Sequence, residues 1–272
     1  MSSKILNKIR GNRIGYNIGR KILSTPLIVN SGIYNLIYDD RIKKSIEKLN
    51  KKYPWGVDIG VTNLCNAECI MCPHSKLKKM GTMDMKLYKK IIDNCHKLNI
   101  KIITLSFFGE PFLDKGLIEK IKYAKEKKMK KTNPSINLVL VELEENKREI
   151  KQFYSEWKNK VDSINIINMG NWANEIEKEG TKESFHFNRN IKRKPCFLIW
   201  KKMVVDWNGD VVLCCDDWNH STILGNLKRQ TIEEIWKGEK LKKIKEAHIK
   251  GEFYKVSLCS GCNKKSIWWM VD

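Results

Sequence analysis

Short β-branched runs and amphipathic helical stretches take turns along the chain from Tyr53 onward, and that alternation most constrains its fold. Residues 55–62 (WGVDIGVT) read as a buried strand after Pro54, and residues 100–107 as a second. Between them Asp84 is a ready N-cap for a helix to about Leu98, with Leu87, Ile91 and Ile92 on its apolar face. Asp114 is expected to cap a helix running to about Lys131. A third strand follows over 136–142, a helix over 145–160 and a fourth strand over 164–167. Strands joined by helical crossovers pair in parallel, so the expectation is a parallel α/β core.

Beyond a looser stretch over 171–194 the pattern changes. Residues 203–207 and 210–214 flank Asn208-Gly209, which reads as a hairpin with an Asn-Gly turn. Gly225-Asn226 is another turn. Thr231-Ile232-Glu233-Glu234 is a capping box opening one helix through Leu241 and Ile244. Three parts are expected: a basic helical extension over 1–52, the α/β core over 53–194 and a small α+β unit over 195–272.

The net charge of +21 raises the question of nucleic acid. The lysines are spread along helices with glutamates among them, as over 115–131 and 237–250, which reads as solvated helix faces and argues against specific nucleic-acid binding. Residues 1–52 carry twelve Lys/Arg against three Asp/Glu and read as amphipathic helices that pack against the core. No apolar run approaches a membrane span, and no apolar segment follows the first lysines as in a secretory signal. Nine cysteines in such a chain point to the cytoplasm, where thiols serve as metal ligands.

Three of those cysteines, Cys65, Cys69 and Cys72, lie in CNAECIMC directly after the first strand. A structural zinc site or a four-iron cluster is normally closed by four thiolates, so three leave one iron open to a ligand that is not protein. Gly109-Glu110-Pro111 sits at the end of the second strand, where glycine allows close backbone approach and a carboxylate can hold an ammonium group. Cys95 stands alone on a helix and reads as core. A second set comprises Cys196, Cys214-Cys215, Cys259 and Cys262. Cys214 and Cys215 point to opposite faces of a strand, so one of them ligates. Four such thiolates suit one iron-sulfur cluster or one zinc ion.

CNAECIMC followed one βα unit later by FGEP resembles the radical S-adenosylmethionine (SAM) superfamily. The resemblance implies a partial (β/α) barrel in which Cys65, Cys69 and Cys72 hold a [4Fe-4S] cluster. Met71 would then lie near the adenine of SAM, with Gly109, Glu110 and Pro111 at its amino group. It also implies SAM cleavage to a 5′-deoxyadenosyl radical, hydrogen abstraction from a peptide, protein or sugar-like substrate, and an electron donor such as flavodoxin or ferredoxin. Residues 196–262, with their LGN turn (224–226) and IEEIW helix, resemble the SPASM extension that carries auxiliary clusters. The four thiolates of Cys196, Cys214, Cys259 and Cys262 then imply one auxiliary [4Fe-4S] cluster, and Asp216 a proton acceptor beside it. Such barrels have six βα units, of which four can be placed here, so the core reads as short by about two units near 131–134. Two other readings are a non-catalytic iron-sulfur protein with an incomplete SAM site and a zinc-dependent nucleic-acid binder.

Overall fold

The computed structural model describes residues 32–70, 72–100, 102–127, 137–161, 163–168, 172 and 193–262. In chain order these form α1 (Gly32–Asn50), β1 (Gly56–Ile59), α2 (Met85–Lys97), β2 (Ile102–Thr104), α3 (Leu117–Glu126), β3 (Asn137–Glu142), α4 (Ile150–Trp157) and β4 (Ser163–Asn168). The C-terminal part adds α5 (Leu198–Lys201), β5 (Lys202–Val205), β6 (Asp210–Val212), β7 (Ile223–Asn226), α6 (Ile232–Trp236), α7 (Glu239–Lys250) and α8 (Ser257–Ser260).

The expected single parallel sheet of four strands does not form among the described residues. One sheet has the order β2-β1-β5-β6-β7, and β3 pairs in parallel with β4 in a separate two-stranded sheet. β1 lies parallel to β2 on one side and to β5 on the other, in register from Gly56 opposite Lys202 to Ile59 opposite Val205. The C-terminal hairpin thus covers the open edge of β1, supplying the backbone partners that an edge strand lacks. The sheet therefore runs across residue 194. The 131–134 junction lies outside the described residues.

Alternation along these strands sorts the two faces. Val57, Ile59, Val61, Met203, Val205, Val211 and Leu213 turn into one core. Leu87, Tyr88, Ile91 and Ile92 of α2, Ile232 and Ile235 of α6 and Leu241 of α7 pack in that same core. The other face is mixed: Val204 and Val212 are buried there, and Lys202 Nζ binds both carboxylate oxygens of Asp58, at 2.9 and 2.8 Å. α1 closes the core with Ile42 and Ile46, as expected of an amphipathic helix packed inward. Two indoles tie it down, Trp200 Nε1 donating to Asn50 Oδ1 (2.7 Å) and Trp236 Nε1 to the Lys52 carbonyl (3.0 Å). Residues 1–31 lie outside the described residues.

Local signals held where they were local. Asp84 caps α2 by accepting from the Leu87 amide at 2.8 Å. Thr231 and Glu234 form the reciprocal capping box. Asp114, by contrast, does not cap α3. Its carboxylate takes the Gly116 amide (2.9 Å) and Lys120 Nζ (2.7 Å), and Gly116 stands at the N-cap. The helix expected over 232–244 breaks into α6 and α7, because Gly238 is extended (φ −67°, ψ 152°) and starts a new helix. The hairpin loop takes four residues instead of two, closed by Asp206 N–H to the Asp210 carbonyl (2.9 Å), with Gly209 at φ +88°. Among the described residues no helix is long and apolar enough to cross a membrane.

Candidate functional site

The cysteine loop leaves the C-terminal end of β1 and lines a cleft of about 540 Å³ with Cys65, Cys69, Cys72, His74 and Ser75. Its ends are pinned by backbone. Asn63 donates to the Lys79 carbonyl (2.8 Å) and accepts from the Gly81 amide (2.7 Å), so the segment is drawn into a closed loop. The His74 ring donates to the Asn63 carbonyl at 2.7 Å and stacks on Phe108 at 5.9 Å. Neither Asn63 nor His74 was legible as a loop anchor, since each partner lies far along the chain.

Burial pushes the Cys72 thiol up and the His74 backbone pulls it back, while Cys69 and Cys65 push it further up. Thiolates that repel one another in a half-buried cleft are held together by a polycation, and cluster binding releases their protons. The donor set therefore fits an iron-sulfur cluster. Met71 lies outside the described residues.

The structure joins the cysteine loop to the GEP turn. Glu110 N–H donates to the Leu64 carbonyl at 2.7 Å, one residue before Cys65. Gly109 sits at φ +123° against the same segment, where a Cβ would lie 2.7 Å from Asn63 Cα and 2.7 Å from the Thr62 oxygen. Pro111 opens a 3-10 turn, and Glu110 caps it through Oε1, taking the Phe112 amide at 3.0 Å.

The second set of cysteines also gathers. Burial raises the Cys214 thiol well above its usual range, with Cys215, Asp216 and Cys196 adding to the rise. Cys259 is pushed up to about 12 by burial and by neighbouring Cys196 and Cys262, against the opposing charge of Arg193. The charge of Cys196 thus acts on both Cys214 and Cys259, and that of Cys262 on Cys259. Cys215 is exposed. Among the described residues no three acidic, cysteine or histidine side chains already stand at single-ion geometry. Asp216 is buried beside Cys214, at 8% exposure. Cys95 is core, its thiol raised to about 12 by burial alone.

Three residues around this set went unread in the sequence. Asp217 is wholly buried and accepts from the Leu213, Ser221 and Thr222 amides and from Ser221 Oγ, fixing the loop after Cys214. His220 is held between carboxylates, 2.9 Å from Asp206 Oδ2 and 3.3 Å from Asp210 Oδ2. Asp206 in turn sits over Gly60, where a Cβ would come within 2.8 Å of its Oδ1. His248 lies fully buried between Cys196 and Cys259. Trp200, Trp218 and Trp236 are buried. Trp218 stacks on Phe108 at 6.1 Å, and Trp268 and Trp269 lie outside the described residues. A second cleft, of about 490 Å³, opens between Asn63, Lys76, Asp206, Trp207, Trp218 and His220.

Residues 196–263 match the SPASM family, an iron-sulfur cluster-binding domain. This span contains all five cysteines of the second set and favours iron-sulfur over zinc there. The chain is 25% identical over 234 residues to the S-adenosyl-L-methionine-dependent 2-deoxy-scyllo-inosamine dehydrogenase of Niallia circulans, covering 78% of this chain and 93% of that enzyme. In fold the chain resembles BtrN in complex with AdoMet and 2-DOIA, with a TM-score of 0.61 at 22% identity over 80% of this chain and 96% of that one. An open conformation of BtrN gives 0.55 at 21% identity, over 78% and 94%.

Proposed function

Taking the chain as a radical SAM enzyme with an iron-sulfur SPASM domain at residues 196–263, we propose that it oxidises a hydroxylated small molecule at a carbon bearing a hydroxyl group. In this reading Cys65, Cys69 and Cys72 hold the SAM-binding cluster, and Cys196, Cys214, Cys259 and Cys262 hold one auxiliary cluster. Held there, the first cluster with SAM would supply the radical chemistry that removes a carbon-bound hydrogen atom, and the auxiliary cluster would supply an acceptor for the second electron of an oxidation to a ketone.

The residues of the chain bring these parts together. The single observation that carries the reading is the Glu110 N–H to Leu64 carbonyl bond at 2.7 Å, which seats the GEP turn on the cysteine loop. That contact supports a role for Glu110 in receiving the SAM ammonium group, near the iron that three thiolates would leave open. Asp216, buried next to Cys214, takes the hydroxyl proton in this scheme. The cleft walled by Trp207 and Trp218 has the size of a small-molecule site. The relative's own substrate supports a hydroxylated, amine-bearing ring as the first compound to try.

The test is anaerobic reconstitution followed by metal counting and reaction with SAM and a reductant. The reading expects roughly eight irons, two clusters of four, with 5′-deoxyadenosine formed and a ketone produced from 2-deoxy-scyllo-inosamine or a related aminocyclitol. Cys65→Ala should abolish SAM cleavage. Clusters without 5′-deoxyadenosine would instead identify a non-catalytic iron-sulfur protein, and zinc without iron would remove the reading altogether.

A further inference from the structure

One buried imidazole joins two of the auxiliary thiols. The Cys196 backbone N–H donates to His248 Nδ1 at 3.1 Å, and His248 Nε2 stands 3.3 Å from Cys259 Sγ. A backbone N–H can only donate, so Nδ1 must be the bare nitrogen of the ring and the proton sits on Nε2. That proton points at the Cys259 sulfur. The ring cannot swing away from it. His248 has no exposed surface, Phe253 meets it edge-on at 5.0 Å and 88°, and Trp200 meets it at 6.5 Å and 75°. The Cys259 backbone is held as well, since Arg193 Nη1 donates to the Cys259 carbonyl at 2.6 Å while its guanidinium lies 4.2 Å over the Phe253 ring.

We propose that His248 sets the reduction potential of the auxiliary cluster by donating an Nε2–H···S hydrogen bond to Cys259. The proposal rests on the reading that Cys196, Cys214, Cys259 and Cys262 hold that cluster. Donors aimed at ligand sulfurs stabilise the more negative, reduced state and raise the potential. In the proposed oxidation the first electron leaves the alcohol with its hydrogen atom, the proton goes to Asp216, and the second electron enters the auxiliary cluster. A higher potential makes that cluster the better acceptor of the second electron. His248 touches neither substrate nor SAM; it is a positioning residue acting through Cys259.

The experiment uses the full chain with Cys65→Ala, Cys69→Ala and Cys72→Ala, so that only the auxiliary cluster carries a signal, and follows its midpoint potential by EPR-monitored redox titration. His248→Leu removes the donor, whereas His248→Gln keeps an amide N–H near the Nε2 position. The expected result is a shift of the Leu variant to more negative potential by about tenfold in the one-electron equilibrium, about 59 mV, with Gln close to the parent. A Leu variant at the parent potential overturns the proposal, as do equal shifts in Leu and Gln, which would mark a purely structural role. Should the Leu variant not fold, histidine labelled with ¹⁵N in the parent must give a hyperfine coupling to the reduced cluster; its absence also overturns the proposal. A parent with no iron at the C-terminal site would instead remove the ligand reading beneath it, and the metal count tells these failures apart.

Discussion

Replacing Gly109 by alanine tests whether the GEP turn and the cysteine loop are one unit. Gly109 has φ +123°, outside even the left-handed helical region that some side chains tolerate, and its ideal Cβ would stand 2.7 Å from Asn63 Cα, 2.7 Å from the Thr62 oxygen and 2.8 Å from the Asn63 carbonyl carbon. These are backbone atoms and cannot rotate aside. The backbone conformation costs about 1–3 kcal/mol, and relief of the overlap adds about 1–3 kcal/mol, so Gly109→Ala should destabilise by about 2–6 kcal/mol. Gly251 is the control: φ is +75° at the C-terminal end of α7, and a Cβ there would meet nothing within 4 Å. Gly251→Ala should therefore cost only about 1–2 kcal/mol, the left-handed penalty alone. Urea unfolding of the metal-free proteins gives both values, and SAM binding to the reconstituted proteins gives the functional counterpart. Relief of the overlap must displace the Glu110 N–H from the Leu64 carbonyl, so Gly109→Ala should lose SAM affinity while Gly251→Ala keeps it. A Gly109→Ala protein as stable as Gly251→Ala, binding SAM normally, would refute the argument.

Other outcomes follow from the same contacts. Cys214→Ser should lose the iron of the C-terminal site, and Cys215→Ser should retain it, because the Cys196 charge acts on a partly buried Cys214 while Cys215 is exposed; iron counts in the background lacking Cys65, Cys69 and Cys72 decide this. Lys120→Met leaves the Asp114 carboxylate buried at 2% exposure without its ion pair and should cost about 3–5 kcal/mol. The double replacement with Asp114→Asn should recover much of that loss in the same unfolding assay. Hydrogen bonding to Asp206, followed by the charges of Asp206 and Asp210 and opposed by burial, raises the His220 pKa above its usual value. The folded value is then the higher one, so this stabilisation is complete below about pH 6.5 and fades as pH rises through the folded pKa. Unfolding of His220→Asn beside the parent between pH 6 and 9 should show the difference between them narrowing. A difference independent of pH would mean that the imidazole is not charged.

The chain showed its local grammar openly. Asp84, Thr231 and Glu234 act within one helical turn, so their caps could be read from spacing, and the structure has them where spacing puts them. Asp114 misled because its strongest partner, the Lys120 ammonium, lies a helical turn and a half away and competes with the amides a cap would take. Gly238 could have been read as a break, but the apolar periodicity on either side of it suggested one continuous helix. The neighbour that β5 gives β1 was beyond reach, since no local pattern tells a buried strand which distant edge it will cover.

The sequence by itself determined the chemistry on offer. Three clustered thiols, a glycine-acid turn after the next strand and four later thiols restrict the donor atoms whatever the fold does with them, because ligand identity belongs to side chains. Tertiary structure decided how those atoms meet. It covered β1 with the C-terminal hairpin, seated Gly109 and Glu110 on the cysteine loop, left Cys215 exposed beside a partly buried Cys214 and carried His248 between Cys196 and Cys259. Each of these joins residues far apart in the chain. Such contacts depend on which surfaces exclude water together and which buried polar groups find partners, and both are properties of the assembled core.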